Sequence, residues 1–377
     1  MARQMGPPSD VDTEKRPFVL IWEVTQACDL ECEHCRADAQ PDRHPLELGT
    51  EAGKALLEEA ARFDEHQLVV LSGGDPLARD DIPELIEYGS DLGLRMTLTP
   101  SGTNSLDPAA IDELANSGLK RLAVSIDGAT AISHDSFRGE PGTFDQTLEA
   151  ARYARGEGIP IQVNTTVTKE TVEDLLAIAD LVEDLGAVLW SVFFLVPIGR
   201  GRILDPIGPD RAESVMEWLL DQAADRTFGV KTTEAPQYRR VAIESGRSAQ
   251  DSSGKRDAIG RRGGVRAGDG FAFVSHTGSV FPSGFLPRSA GSVRESSLVK
   301  IYRESELFRA LRDEDRFRGK CGACEYRNVC GGSRSRAYAY TGDSLESDPL
   351  CPYVPADYEG PMPTHELESA EIEDAVR

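Results

Sequence analysis

Between Phe18 and Pro197 six short apolar runs alternate with longer amphipathic ones, and that alternation restricts the chain to one architectural class. The apolar runs are FVLIWEV (18–24), LVVL (68–71), RMTLTP (95–100), RLAVSID (121–127), IQVNTTV (161–167) and VLWSVFFLV (188–196). Each precedes a segment with helical spacing of its apolar residues, such as EAGKALLEEAARF or TVEDLLAIADLVEDLG, and Gly and Pro mark the joins. Strands that read as near-continuous apolar runs between helices pair in parallel, with right-handed crossovers covering both faces of the sheet. The expected fold is α/β, a partial (β/α)6 barrel; periodicity alone leaves a doubly wound open sheet as the alternative.

With 377 residues, 40% of them hydrophobic, the chain can bury the core of one large α/β domain and of a smaller appendage. Residues 1–17 are polar and expected to be disordered, and 18–235 form the barrel core. Residues 236–270 include GRSAQDSSGKRDAIGRRGGVRAGDG, which lacks apolar periodicity and is expected to be a linker or mobile loop. FAFVSHTGSVFPSGFLP has the pattern of a β-hairpin turning at His276 to Gly278; it opens a smaller domain over 271–355, and 356–377 is an acidic tail. The N-terminus has no apolar signal core, and the longest apolar stretch, Ala187 to Gly199, is interrupted by Ser191 and too short to span a bilayer. A cytoplasmic protein without membrane contact is expected. The net charge of −23 argues against a nucleic-acid partner, because phosphates would be repelled. Only eight of the 41 basic residues are lysine. Such an acidic, lysine-poor surface suits a halophilic cytosol, where screening over about 3 Å at 1 M salt suppresses self-repulsion.

Seven cysteines fall in two sets, three early and four late, and their odd number prevents complete disulfide pairing. CDLECEHC places Cys28, Cys32 and Cys35 at C-x3-C-x2-C on the loop after the first strand, the end of a parallel barrel at which active sites are built. Three thiolates suit zinc only if His34 or a remote residue supplies a fourth ligand, as in a zinc knuckle. They also suit a [4Fe–4S] cubane with one iron left open to a small molecule. The late set, Cys321, Cys324, Cys330 and Cys351, reads C-x2-C-x5-C-x20-C and supplies four ligands, enough for a closed cluster or a structural zinc.

The early triplet, with His34 before its last cysteine, resembles the signature of the radical S-adenosylmethionine (SAM) superfamily, and LSGGDP (71–76) at the end of the second strand is a second match. The resemblance implies an enzyme that binds SAM on the open iron and uses a 5′-deoxyadenosyl radical for hydrogen abstraction. It implies SAM contacts at His34, at Gly73, Gly74 and Asp75, at Ser125 in SIDG, at Arg138 in HDSFRGEPGTF, where an arginine would pair with the SAM carboxylate, and at Asn164. Val196 and Pro197 would pack the adenine. The late set resembles the auxiliary-cluster (SPASM) domain of the same superfamily, which implies a second [4Fe–4S] cluster. Ser283, Ser333 and Arg334 stand where further cysteines are common in that domain, so one auxiliary cluster is expected.

The C-terminal run from Cys321 to Tyr353 looks most like the enzymes of alternative haem and haem d1 biosynthesis, which act on carboxylate side chains of iron porphyrinoids. That likeness implies oxidative decarboxylation of Fe-coproporphyrin III to haem b, a low-potential electron donor such as ferredoxin, and cationic anchors for the substrate. Lys231, Arg239, Arg240, Arg334 and Arg336 are the candidates. A peptide-modifying maturase is the enzymatic alternative, although the short segment before Phe18 leaves little room for a peptide-clasping domain. A zinc-binding scaffold is the non-enzymatic one.

Overall fold

All six apolar runs form strands in the computed structural model, which describes residues 12–64, 66–246 and 265–364. They are β1 (Val19–Thr25), β2 (Leu68–Gly73), β3 (Arg95–Leu98), β4 (Arg121–Ser125), β5 (Ile161–Val167) and β6 (Leu189–Phe194). A seventh, β7 (Gly229–Thr233), follows in parallel at the edge, with Leu189 opposite Gly229 and Phe193 opposite Thr233. Its sequence, GVKTT, is too polar to have the pattern of a buried strand, because only Val230 is packed into the core. The intervening helices are α1 (Thr50–Ala61), α2 (Ile82–Asp91), α3 (Pro108–Asn116), α4 (Ala131–Arg138), α5 (Thr143–Gly156), α6 (Leu175–Asp184) and α7 (Pro209–Asp225).

Beyond β7 the chain departs from the expected domain plan. Helix α8 (Gln237–Glu244) occupies the start of the expected linker and buries Tyr238 and Val241 in the main core. The hairpin of β8 (Phe271–Val274) and β9 (Ser279–Phe281) turns through Ser275 to Gly278 as expected, yet it is continuous with the barrel sheet. β8 lies parallel to β1, with Val19 opposite Phe271 and Trp22 opposite Val274, and β10 (Gly291–Ser292) completes the order β10-β9-β8-β1-β2-β3-β4-β5-β6-β7. A pairing between segments so distant in sequence leaves no trace in local periodicity. Helices α9 (Leu298–Glu304), α10 (Glu306–Arg312), α11 (Gly319–Ala323) and α12 (Arg334–Thr341) complete the C-terminal region.

Residues from 12 onward, within the N-terminal stretch expected to be disordered, are docked: Tyr302 donates to the Thr13 carbonyl at 2.6 Å and Arg16 meets Asp64 at 2.5 Å. The remainder of that stretch (1–11), residues 247–264 of the expected linker and residues 365–377 of the acidic tail lie outside the described residues. Among the described residues no helix is long and apolar enough to cross a membrane.

Alternation along the strands sorts the side chains into two layers. Leu20, Trp22 and Val24 of β1 face the helices and are fully buried, whereas Glu23 faces the concave side, level with Ser72 of β2. Parallel register carries the same layer round the barrel, with Ser125, Asn164, Ser191 and Lys231 side by side on β4 to β7. The apolar set builds the core; the polar set faces the cleft.

Candidate active site

Where β1 ends, the chain makes a loop closed at its base by two backbone hydrogen bonds, Gln40 N–H to the Gln26 carbonyl (3.0 Å) and Cys28 N–H to the Gln40 carbonyl (2.8 Å). Cys28 and Cys32 are buried and Cys35 is half-buried, all three on one wall of a cleft enclosing about 1050 Å³ of non-protein space. Backbone N–H groups of Leu30 and Ala39 point at the Cys28 and Cys35 sulfurs, each at 3.4 Å. Burial pushes the Cys28 and Cys32 thiols up, so they become thiolates when a metal takes the place of the proton.

The segment after β6 clamps this loop. Arg200 donates to the carbonyls of Cys32 (3.0 Å) and Ala39 (3.2 Å), and its own N–H reaches the Cys35 carbonyl at 3.0 Å. Gly199 makes the approach possible: its φ is +54° and a Cβ there would lie 2.4 Å from the Cys35 oxygen. Sequence reasoning passed over Arg200, although a Gly-Arg-Gly-Arg run directly after a strand end was visible.

Gly73 and Gly74 are glycine for a similar reason. The end of β2 lies against the cysteine loop, with Gly74 N–H donating to the Thr25 carbonyl at 2.9 Å, and Cβ atoms would come within 2.4 and 2.2 Å of the carbonyls of Thr25 and Ala27. Both glycines line the cleft. The Asp75 side chain is engaged elsewhere. Its buried carboxylate accepts from the N–H groups of Leu77 and Ser101 and from the Thr103 hydroxyl (2.7 Å), and so braces the loop behind the cleft wall. That loop presents Ser101, whose hydroxyl donates to the Gly74 carbonyl at 2.8 Å and lies 3.3 Å from the Cys28 sulfur.

Ser125, Asn164 and Arg138 line the same cleft. Helix α4 starts with a capping box between Thr130 and Ser133 and ends at Gly139 in the left-handed region, which sets Arg138 in its last turn against the cysteine loop. Arg138 is buried, donates to the Ser101 carbonyl at 3.2 Å and lies 3.4 Å from Asp127, while its Nε has no partner. Asp127, missed in the sequence although SIDG was recognised, also accepts from the Thr166 N–H at 2.7 Å. His34 stacks on Phe137 with centroids 4.6 Å apart; burial pulls its pKa down to about 4, leaving it neutral near pH 7 with its Nδ1 unpartnered. Val196 lines the cleft, and Pro197 is buried just beyond it.

The four late cysteines converge on a second, smaller pocket of about 350 Å³. N–H groups of Gly332 and Asp348 approach the Cys330 and Cys321 sulfurs at 3.4 and 3.5 Å. Burial pushes the Cys330 thiol up strongly and that of Cys351 to about 12. A Cβ on Gly332 would come 3.1 Å from the Cys321 sulfur. Ser283 and Ser333 both donate to Glu234, as does Ser335, tying the end of β7 to the hairpin and to α12.

Three of the expected substrate anchors serve this architecture. Arg334 is buried and donates to the carbonyls of Ser344 (3.2 Å) and Glu346 (2.8 Å). Arg336 joins α12 to the barrel through the Phe194 carbonyl (2.9 Å) and meets Asp348 at 3.2 Å. Arg240 is held by Glu213 and Glu244. Sequence shows a charge and not its partner, so these three read as free. Burial pulls Arg239 down to about 10. Lys231 alone of the five stands in the layer that includes Ser125 and Asn164.

An open three-thiolate loop facing a glycine-lined strand end is the arrangement that a SAM-bound cluster needs, and the profile of the Radical SAM superfamily matches residues 22–182. The chain belongs to that superfamily and is an enzyme, which removes the zinc-scaffold alternative. Within it, the chain is 41% identical to the AdoMet-dependent heme synthase of Methanosarcina barkeri, with 90% of this chain and 97% of that one aligned. It is 40% identical to the protein of the same name from Nitratidesulfovibrio vulgaris, over 93% and 96%. The PqqA peptide cyclase of Granulibacter bethesdensis is more distant, at 27% over 92% and 90%. Among solved structures, Streptococcus suis SuiB bound to S-adenosylmethionine superposes with a TM-score of 0.69 at 17% identity, covering 90% of this chain and 78% of SuiB. That likeness shows the fold. The superfamily implies a [4Fe–4S] cluster and SAM, and the buried thiols, the sulfur-directed N–H groups and the unpartnered Arg138 Nε suit both.

Proposed function

We propose that this enzyme converts Fe-coproporphyrin III to haem b by oxidative decarboxylation of two propionates to vinyl groups. The observation that carries the reading is the near-full-length similarity, at 41% identity, to a relative named AdoMet-dependent heme synthase. In each turnover one propionate loses a hydrogen atom, CO2 and one electron, and the bond that breaks joins the carboxylate to its chain. The cluster and SAM together supply, when bound, the carbon-centred radical that takes the hydrogen atom.

The chain's own residues would divide the work as follows. Cys28, Cys32 and Cys35 hold the open cluster. Gly73 and Gly74 let SAM approach the strand end; Arg138, held by Asp127 and the Ser101 carbonyl, pairs with its carboxylate; Ser125 and Asn164 contact it from the cleft wall; the neutral His34 supports the site from its stack on Phe137. Cys321, Cys324, Cys330 and Cys351 hold an auxiliary [4Fe–4S] cluster with no open iron, suited to carrying the released electron. A ferredoxin-class donor in a salt-rich cytoplasm completes the proposal. Peptide modification is less well supported, since the maturase-type relatives are more distant.

The test is anaerobic incubation of the reconstituted enzyme with SAM, dithionite and Fe-coproporphyrin III. The expected result is haem b with two SAM consumed per haem. SAM consumption with the porphyrin unaltered overturns the proposal.

A further inference from the structure

Two cations face the inside of this barrel without a carboxylate. Lys231 stands on β7 in the same layer as Ser125 and Asn164, which line the cleft. Among the described residues its ammonium makes no hydrogen bond or ion pair, and burial lowers it to about 8 with Arg121 adding repulsion and no acid opposing it. Arg121 lies four residues before Ser125 on β4 and so shares its face. It donates to the Gln162 side chain at 3.3 Å, its Nε is buried without a partner among the described residues, and Arg95 adds repulsion. Gln162 in turn donates to Asn164 at 2.7 Å, so Arg121 is linked to the cleft wall.

Other buried cations of the chain are taken up by carboxylates or, as at Arg334 and Lys320, by backbone carbonyls. Arg79, Arg240, Arg266 and Arg336 are at least as buried, and each meets a carboxylate. With 64 acidic residues against 41 basic ones, a partner for Lys231 and Arg121 was readily available. Unpaired charge in an enclosed site is unfavourable unless an anion arrives from outside.

We infer that Lys231 and Arg121 form a carboxylate-binding subsite inside the barrel, beneath the SAM cleft. Resting on the porphyrin reading above, the carboxylate is a propionate of the substrate, and its capture fixes the in-plane orientation of the macrocycle relative to the cleft. Lys231 is a positioning residue in that role.

The experiment is reductive methylation of the reconstituted enzyme with formaldehyde and dimethylamine–borane at pH 7.5, read at Lys231 by peptide mass spectrometry. Fe-coproporphyrin III and free propionate should each slow modification of Lys231 more than tenfold, whereas the tetramethyl ester of Fe-coproporphyrin III and an equal concentration of sodium chloride should not. Arg121→Gln should remove the protection by propionate. Protection by propionate but not by Fe-coproporphyrin III keeps the subsite and sinks the porphyrin reading. Equal rates with and without both probes overturn the inference, as does equal protection by the ester or by chloride. A Lys231 that stays unmodified in the free protein overturns it too, because a barrel closed to formaldehyde is closed to a propionate. In a separate titration, Lys231→Met should bind Fe-coproporphyrin III at least tenfold more weakly and leave SAM binding unchanged.

Discussion

The two cysteine sites are built on opposite plans. The cleft draws its three sulfurs from one loop, shaped by backbone hydrogen bonds and by the Arg200 clamp, and in the same cleft Arg138 keeps an unpartnered Nε. The late pocket draws four sulfurs from α11, the turns after it and a segment some twenty residues further on, and cations around it are held by protein groups, Arg240 by Glu213 and Glu244, Arg336 by Asp348 and Lys320 by the Cys351 carbonyl, although the Nε atoms of Arg240 and Arg327 are as unpartnered as that of Arg138. What separates the sites is the number of sulfurs: three leave a cluster open to a further molecule, whereas four close one that supports the fold or carries electrons.

Cysteine substitution should separate the two sites most completely. Cys32→Ala should abolish SAM cleavage while the late pocket keeps about half of the iron, four of the ~8 ions in two cubanes. Cys324→Ala should lose the other half and still cleave SAM. Iron and sulfide analysis with a SAM-cleavage assay checks both, and loss of cleavage in both variants would break the distinction. Next in size, Arg138→Met should weaken SAM binding by roughly 10–100-fold, the worth of a hydrogen bond to a charged group at ~1.5–3 kcal/mol, read by calorimetric titration. Arg336→Met should leave SAM affinity unchanged and lower stability instead.

Gly74→Ala should cost about 1–3 kcal/mol of stability and reduce iron loading at the cleft alone, because the added Cβ would lie 2.2 Å from the Ala27 oxygen. Thermal unfolding and iron counts check it. A pH response of similar size is expected from a histidine buried in α4. His134 accepts the Asp127 N–H on its Nδ1 at 3.2 Å and burial holds its pKa down at about 4. Since the unfolded imidazole titrates near ~6.5, the unfolded state binds more protons below that value, and stability should fall as pH drops from about 6.5 toward 4. His134→Asn should flatten that slope in denaturant titrations at pH 7 and pH 5, by up to about 2 kcal/mol.

How far each feature could be read beforehand follows from how local it is. β5 was delimited at Ile161–Val167 because its alternation is complete within seven residues. β7 escaped because Lys231 and Thr233 face a polar interior, and β8 was placed in a separate domain because its partner, β1, lies far away in sequence. Ser101 carries no motif of its own, and the SIDG and Gly-Arg-Gly-Arg runs that contain Asp127 and Arg200 do not name their partners. Their roles exist only relative to Cys28, Arg138 and the carbonyls of the cysteine loop.

Strand and helix alternation, the two ligand sets and the glycine pair were therefore determined by sequence alone, since periodicity, thiol chemistry and the lack of a Cβ belong to neighbouring residues. Only the tertiary structure decided that Asp75 braces a loop, that Arg240, Arg334 and Arg336 are tethers, and that Lys231 is left without a counter-charge. The reason is physical: what a charged group does depends on which partners desolvate and oppose it, and those partners arrive from strands and helices that meet only in the folded chain.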